Sequence, residues 1–243
     1  MRSFLLSLLI ALAPLSAVAA EPSLRAGVVV DSPGPYSYTP DSPMASVYRD
    51  ALEQISRLSG IRFDIEYFPA QRTQQLFEVG RLDVEVGVNP GWRALSPVGG
   101  FYSQPLGELG YQLCLRPTVS HPIRTLADLR GQPVGVLQGQ PVQVFAAEFK
   151  RHDVRAEVSQ SEAEMLNKLR IGRLPAVVLE KRQLEHQAAL PPDSRCEPGA
   201  VVSVQQVMLR LHPQHRQLLP AINKAIAQLT ANGRLKAIFQ KPR

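Results

Sequence analysis

The chain has 243 residues, of which 27 are Lys or Arg and 21 are Asp or Glu, giving a formal net charge of +6 at pH 7. The basic residues are scattered along the chain and few aromatic residues lie among them, which argues against nucleic acid as a partner. After residue 20, no apolar run approaches the roughly 20 residues that a membrane-spanning helix needs.

The first twenty residues have the pattern of a secretory signal peptide. Arg2 is followed by the apolar stretch FLLSLLIALAPL, and the small residues of SAVAA precede Glu21. No cysteine lies at this junction, so a lipid anchor is not expected. We therefore expect export to a periplasm and a mature chain of about 220 residues, enough for one large domain or two lobes of roughly 100 residues each.

The first hundred residues alternate between strand and helix patterns. Side chains that alternate with period two predict strands, and apolar residues with helical spacing predict helices. The predicted strands are Leu24–Val30, Ile61–Tyr67 and Leu82–Val88, and the predicted helices run from Ser42-Pro43 to Gly60 and over Gln71–Val79. This order is typical of an α/β fold with parallel strand pairing.

A second α/β series follows the passage Phe101–Gly110, whose glycines and prolines suit a crossing between two lobes. Its predicted strands are Tyr111–Leu115, Val134–Leu137, Val154–Val158 and Ala176–Leu179, and its predicted helices lie near Leu126–Leu129 and over Val142–Arg151 and Glu162–Ile171. After these elements we predict an irregular loop at Pro191–Gly199, a strand at Val201–Leu211 that returns to the first lobe, and a helical tail over Pro213–Phe239 with a break at Gly233.

The stretch LDVEVGVNPGWR, which begins at Leu82, combines an alternating strand with a sharp turn. Two acids, Asp83 and Glu85, alternate with valines, and the turn places the only tryptophan of the chain, Trp92, beside Arg93. Two interpretations are open: one face of this strand lies in water, or the segment lines a site. A buried carboxylate would need a partner such as Arg72 or Arg93.

The two cysteines, Cys114 and Cys196, both lie in the part of the chain that is expected to be exported. In an oxidising compartment an even pair favours a disulfide, here between distant segments. The alternative is two buried free thiols.

Sequence motifs of the common enzyme classes are absent. The chain has no nucleophile elbow, P-loop or dinucleotide fingerprint, and its five histidines are dispersed. His212 and His215 alone do not predict a metal site, and we expect no metal and no cofactor. The segment GVLQGQP, which ends at Gln140-Pro141, reads as a strand entering a helix; such a junction either binds an anion or is a plain connection.

Several segments together resemble the amino-acid-type (family 3) extracellular solute-binding proteins of ABC importers. HPIRTLADLRGQPVGVLQG resembles the entry to their second lobe, and PGPYSY, GRLDVEVG, FYSQP, GRLPAVVLE and ANGRLKAIFQK resemble further family landmarks in the same order. The resemblance implies a type II periplasmic-binding-protein fold, with two α/β lobes joined by hinge strands and a ligand cleft between them. Lobe one would comprise residues 21–108 plus 204–243, and lobe two residues 109–203.

The resemblance also implies a set of ligand contacts, several of them altered. Glu180 falls where the family has the aspartate that holds a ligand's ammonium, and Gln140-Pro141 replace the threonines of a helix start, where proline has no N–H to donate. Arg93 resembles the arginine that holds the carboxylate, although this equivalence needs a gap. Further candidates for ligand contact are Trp92, Glu85, Asn89, Arg72 and Tyr36, each with a structural role as its alternative.

The function that the resemblance implies is that of a monomeric periplasmic binding protein, which captures a small polar solute and delivers it to a membrane ABC permease. The ligand would be anionic or zwitterionic. Two alternatives are a secreted dehydratase resembling cyclohexadienyl dehydratase, with Glu180 or Glu85 as its general acid, and a sensor that presents its closed, liganded form to a membrane receptor.

Overall fold

The computed structural model describes residues 22–30, 47–116, 123, 125–138, 142–188 and 195–240. The predicted signal peptide, the helix start at Ser42-Pro43, Tyr36 and Gln140 lie outside these residues. None of the helices in the part of the chain that the structure describes is long and apolar enough to cross a membrane.

Strands and helices alternate along the described residues, as the sequence pattern predicts. The strands are β1 Ser23–Val29, β2 Arg62–Phe68, β3 Val84–Val88, β4 Phe101–Tyr102, β5 Gly107–Leu115, β6 Pro133–Leu137, β7 Arg155–Ser159, β8 Ala176–Glu180 and β9 Glu197–Leu211. The helices are α1 Val47–Ser59, α2 Ala70–Glu78, α3 Val142–His152, α4 Glu162–Arg170, α5 Lys181–Ala188, α6 Leu219–Ala231 and α7 Arg234–Gln240. The predicted helix at Leu126–Leu129 is a 3-10 turn, as are Pro90–Arg93 and Pro213–Leu218.

The strands form one sheet path in the order β2-β1-β3-β9-β5-β8-β6-β7, with β4 paired to β9. β1 is parallel to β2 and β3, and β6 is parallel to β7 and β8, so each half has the predicted parallel pairing. The antiparallel strands β5 and β9 pair with each other and join the two halves. The carboxyl ends of parallel strands are where ligands of α/β folds bind.

The joining strands are longer than the sequence pattern predicts. β5 begins at Gly107 rather than Tyr111, and β9 begins at Glu197, so the end of the predicted Pro191–Gly199 loop is strand. Glycine and proline residues in these segments hide the alternation on which strand prediction depends. These segments are strands because they pair with each other. The ladder runs from Gly107 opposite Val207 to Leu115 opposite Glu197, and it provides hydrogen-bond partners for the backbone groups of both segments.

The sheet is covered on both faces. One continuous apolar cluster unites the β1 and β3 side chains with α1 and α6 in the first half, and the β6 and β8 side chains with Phe145 and Phe149 of α3 in the second. A separate cluster joins Met165 and Leu169 of α4 to the buried cysteines. Strands buried on both faces by helices explain why the parallel strands are valine- and leucine-rich.

Asp83 anchors the amino end of β3. Its carboxylate accepts hydrogen bonds from the backbone N–H of Arg25 at 2.8 Å and from the Arg25 guanidinium at 3.0 Å, and lies 3.0 Å from Nε2 of His215. Burial acts to raise the pKa of Asp83, but the hydrogen bonds from Arg25 outweigh it and lower that pKa below its ordinary value. The carboxylate thus ties β1 and the segment after β9 to β3.

The two cysteines form the disulfide that the sequence favours. Cys114 of β5 and Cys196, just before β9, are bonded with their Cα atoms 5.5 Å apart. Both residues are buried against α4 and α5. The bond closes a loop with a sequence separation of 82 residues, so it restricts the unfolded chain across nearly all of the second half.

Substitution of Asp83 by Asn should destabilise the protein in a pH-dependent way. A carboxylate with a lowered pKa in the folded state stabilises fully above the unfolded pKa, about 3.9, and this contribution is lost as the pH falls through the folded pKa. We expect Asp83→Asn to lower the free energy of unfolding by about 1–2 kcal/mol at pH 7, with the difference from wild type shrinking below about pH 4. Urea denaturation at a series of pH values measures this.

Asp64→Asn is the matched control for Asp83→Asn, because Asp64 pairs with Arg62 on the exposed edge strand β2. Exposed pairs contribute little to stability, so this variant should unfold like the wild type at pH 7. A pH-independent loss in Asp83→Asn would show that the ionised form of Asp83 is not the source of its contribution.

Removal of the disulfide should destabilise the fold without changing its architecture. The double variant Cys114→Ala/Cys196→Ala should lose about 2–4 kcal/mol of unfolding free energy, because its unfolded chain gains the freedom of the opened loop. Wild-type protein unfolded in the presence of reductant should match the variant. Equal stability of oxidised and reduced protein would contradict the assignment of this bond, which mass measurement without reductant checks directly.

Candidate functional site

The strand β3 is buried on both faces, so its acidic side chains do not lie in water. Val84, Val86 and Val88 belong to one buried face, while Asp83 and Glu85 occupy the other and are also buried, Glu85 with 0% exposure. Of the two interpretations open for this stretch, a solvated strand face is therefore wrong. A fully buried carboxylate requires compensating charge and hydrogen bonds.

Arg93 supplies one part of this compensation. The chain leaves β3 at Asn89 and turns through the 3-10 segment Pro90–Arg93, which we call the arginine turn. From this turn Arg93 reaches back to Glu85: Nη2 donates to Oε1 at 2.9 Å, and Nε donates to Oε1 and Oε2 at 3.1 and 3.2 Å. The two groups thus form a side-on bidentate pair. The Arg93 side chain is only 12% exposed, so water has little access to this pair.

Arg210 supplies the rest, and sequence reasoning missed it. It lies directly opposite Glu85 in the β3–β9 ladder and donates from Nη1 to Oε2. Its other terminal nitrogen donates to Ser96 Oγ at 3.0 Å and to the carbonyl of Val98. Its guanidinium carbon lies 4.1 Å from the centre of the Phe77 ring, a cation–π contact in a buried position.

The signal for Arg210 was present in the sequence. The segment VMLRL within β9 places one arginine in an otherwise apolar strand. Such an arginine is seldom fully buried without a partner, and Arg210 is 1% exposed. The pairing of this strand with β3 is non-local, so the identity of the acid could not be read from the local pattern.

The outer part of this cluster includes a second acid, Glu78 of α2. Ser96 Oγ donates to Glu78 at 2.8 Å, and Gln74 donates to the same oxygen at 2.8 Å. These two hydrogen bonds, with smaller contributions from the positive charges of Arg210 and Arg93, hold the pKa of Glu78 below its ordinary value. The arginine turn is therefore linked to β9 through the Glu85 carboxylate, which Arg93 and Arg210 share, and from Arg210 through Ser96 to Glu78 of α2.

Asn89 and Trp92 shape the arginine turn itself. Asn89 Oδ1 accepts from the N–H of Gly91 at 2.9 Å, and its Nδ2 donates to the Gln206 carbonyl of β9 at 2.8 Å. Trp92 packs against the large apolar cluster, while its buried Nε1 has no acceptor among the residues that the structure describes. The turn also contacts α3 from the other half of the sheet, so it lies where the two halves meet.

Glu180 lies at the carboxyl end of β8 and is 2% exposed. Its backbone N–H donates to Gln183 Oε1 at 3.0 Å. The neighbouring strand places Tyr111 opposite it; burial first, and then the negative charge of Glu180, raise the pKa of this tyrosine. Glu180 also lines a cavity of about 890 Å³ together with Glu108, Lys181 and Phe239.

The predicted site residues thus fall into two places. Glu85, Asn89, Trp92 and Arg93 form one cluster around the arginine turn, whereas Glu180 lines a cavity in which none of those four takes part. Arg72 is exposed on the first turn of α2, and the partners of Glu85 are Arg93 and Arg210 instead. Gln140 and Tyr36 lie outside the described residues.

No family model matches the chain. The L-cystine-binding protein TcyJ of Escherichia coli strain K12 is 26% identical over 143 residues, which are 58% of this chain and 52% of that protein. The chain therefore spans about half the length of the curated relatives that it matches.

Solved structures match over most of the chain. An ancestral arginine-binding protein bound to arginine gives a TM-score of 0.71 at 18% identity, covering 91% of this chain and 98% of that one. The protein ytmK of Bacillus subtilis, of the amino-acid ABC transporter extracellular-binding type, gives 0.73 at 14% identity, with 89% and 95% covered. At these identities the matches establish the fold.

The chain has the two-lobed fold of the amino-acid-type extracellular solute-binding proteins. Within the solute-binding fold, β5 and β9 are the strands that join the two lobes, and the arginine turn and α3 approach each other across them. A further match is the ancestral amino-acid-binding protein AncCDT-1, a precursor of cyclohexadienyl dehydratase, with a TM-score of 0.69 at 16% identity, covering 90% of this chain and 93% of that one.

Removal of the Glu85 carboxylate should be among the most destabilising single changes in this fold. Glu85→Ala leaves two guanidinium groups buried beside each other without their shared acceptor, and we expect a loss of about 3–5 kcal/mol of unfolding free energy. Glu66→Ala is the control, because Glu66 lies exposed on β2, where substitutions usually change stability by less than about 0.5 kcal/mol. Similar urea midpoints for the two variants would contradict the structural role of Glu85.

Proposed function

We propose that the protein is a periplasmic binding protein, which captures a small amino-acid-like solute in the cleft between its lobes and delivers it to a membrane ABC permease. The fold supports this proposal, together with the sequence similarity to an L-cystine-binding protein. In the proposed division, residues 21–108 plus 204–243 form one lobe and residues 109–203 the other. Lobe closure about the joining strands would then trap the ligand.

The observation that carries the proposal is the free edge of the Arg93 guanidinium. A guanidinium has five N–H groups; Glu85 takes Nε–H and one hydrogen of Nη2, and the Trp92 carbonyl takes one hydrogen of Nη1 at 3.4 Å. One N–H on each terminal nitrogen is left without an acceptor among the described residues. Two N–H groups on these neighbouring nitrogens suit the two oxygens of a carboxylate.

Glu180 is the proposed partner for the positive group of the ligand. It ends β8, and the carboxyl ends of strands face the cleft in this class of fold. Asn89 and Trp92 hold the arginine turn in the proposed site, with the buried Trp92 N–H as a further donor. Arg72, Gln140 and Tyr36 remain proposed contacts. The proposed complex is a monomer with one ligand and no metal or cofactor.

A ligand screen tests the proposal. Thermal unfolding is measured with amino acids, L-cystine and L-arginine among them, and with dicarboxylates, amines and small phosphorylated compounds. A ligand at 100 times its Kd stabilises the folded state by about 2.7 kcal/mol and raises the Tm. The Tm increase should be lost in Arg93→Met and Glu180→Gln and kept in Arg62→Met, an exposed arginine of β2. If both site variants respond like the wild type, the site assignment is wrong.

The single tryptophan provides a second measurement. Trp92 lies in the turn that contacts α3, so ligand-driven closure should change its fluorescence. Titration of each compound that raises the Tm into wild type and into Arg93→Met, followed by Trp92 fluorescence, gives its Kd for both proteins. No Tm increase with any compound of the screen would contradict the proposed function.

A buried carboxyl that lines a cavity, opposite Tyr111 in the neighbouring strand, favours a second candidate function, that of a dehydratase with Glu180 as general acid. Formation of product from prephenate or arogenate, abolished in Glu180→Gln, would support it. Sensing by a membrane receptor uses the same closing cleft, and binding of the liganded protein to a permease or to a receptor separates import from sensing.

A further inference from the structure

We propose that Arg210 and Glu85 are positioning residues that keep Arg93 both fixed and positively charged toward the ligand, so that the site selects a free carboxylate over its uncharged amide. This inference rests on the proposed function. It assigns a role in ligand selection to a residue of β9 that does not itself reach the ligand.

The first step concerns position. Glu85 holds Arg93 by its side edge through Nε and Nη2, which fixes the guanidinium plane and leaves one N–H on each terminal nitrogen for a ligand. A long arginine side chain on a short turn would otherwise lose considerable rotamer freedom when it binds a ligand. The pair with Glu85 restricts this freedom before binding.

The second step concerns charge. A one-to-one pair of Glu85 with Arg93 would be neutral and would attract a ligand carboxylate weakly. The second guanidinium changes this balance, because Arg210 shares the Glu85 carboxylate. Among the described residues, Glu85 is the only carboxylate that hydrogen-bonds Arg210, whose Nε has no acceptor there, so two positive charges share one carboxylate. Glu78 offsets part of this positive charge, but it reaches Arg210 by hydrogen bonding only through Ser96 and is partly exposed on α2, where water screens its charge.

The third step is that Arg210 acts only through other residues. It is 1% exposed and is enclosed by Phe77, the Val98 carbonyl and Gly100. A Cβ added at Gly100 would lie 2.5 Å from Arg210 Cγ and 2.6 Å from its Nε, so the absence of a side chain there leaves room for the arginine. A ligand bound to the free edge of Arg93 would therefore feel the charge of Arg210 without touching it.

The experiment compares acid and amide ligands. The probes are L-arginine, L-glutamine and L-cystine, each paired with its α-carboxamide, and Kd is measured by Trp92 fluorescence and calorimetry. The readout is the ratio of amide to acid Kd. In Arg210→Met, whose side chain still packs on Phe77, this ratio should fall roughly tenfold, because one positive charge near the carboxylate is lost. Arg210→Lys retains that charge without the guanidinium contacts, so its ratio should fall less than that of Arg210→Met.

Two glycine variants form a matched pair that leaves every charge in place. Gly100→Ala should displace Arg210 from Glu85 and lower the ratio in the same direction, while Gly99→Ala, with no atom within 4 Å of its added Cβ, should not. Circular dichroism and urea unfolding establish that each variant folds, and Gly100→Ala carries the test if Arg210→Met does not fold.

An unchanged ratio in the folded variants, or an equal loss of affinity for acid and amide, overturns this inference and assigns Arg210 a purely structural role. Failure of the wild type to bind any of the six probes, together with no Tm increase in the ligand screen, overturns the proposed function as well. The two failures are distinguishable, because the first leaves wild-type binding of the acids intact.

Discussion

The carboxylate of Glu85, buried between two guanidinium groups, links three parts of the first half of the sheet. A charge with no access to water must keep its partners, so β3, β9 and the arginine turn cannot move independently. Two residues before Glu85, Asp83 binds Arg25 and His215 in a more exposed position. The amino end of β3 is thus held by two carboxylates on one face, with apolar packing on its opposite face.

This arrangement places rigidity and mobility in different parts of the molecule. The arginine turn is tied to β9 on the first-half side of the joining strands, through Glu85 and through the hydrogen bond from Asn89 to Gln206. Its approach to α3 involves the other half of the sheet, whose internal order is reinforced by the Cys114–Cys196 bond. A hinge motion can therefore change the distance between turn and α3 without disturbing the partners of either.

The sequence was sufficient for the order of most strands and helices, because apolar periodicity is local, although the short elements β4 and α5 were not predicted. It was also sufficient to identify Glu85 as an acid in need of a partner and Arg93 as one such partner. The role of Arg210 was not predicted, because its contact with Glu85 joins residues 125 apart in sequence and depends on which strands become neighbours. The full lengths of β5 and β9 were not predicted either. Glycine and proline residues interrupt the alternating pattern of these segments, and the pairing of the two strands is non-local.

The buried ion cluster of Glu85, Arg93 and Arg210 calls for an explanation beyond stability. Well-packed apolar residues of similar volume often stabilise a fold as much as a buried ion pair does, or more, because desolvation offsets much of the Coulomb attraction. Stability alone therefore does not account for two arginines around one acid inside the strand β3. The cluster contributes something that an apolar core cannot, a guanidinium held in one orientation with an unused pair of donors. That property is useful for recognising an anion, and it links the unusual acid in β3 to the ligand chemistry proposed for the fold.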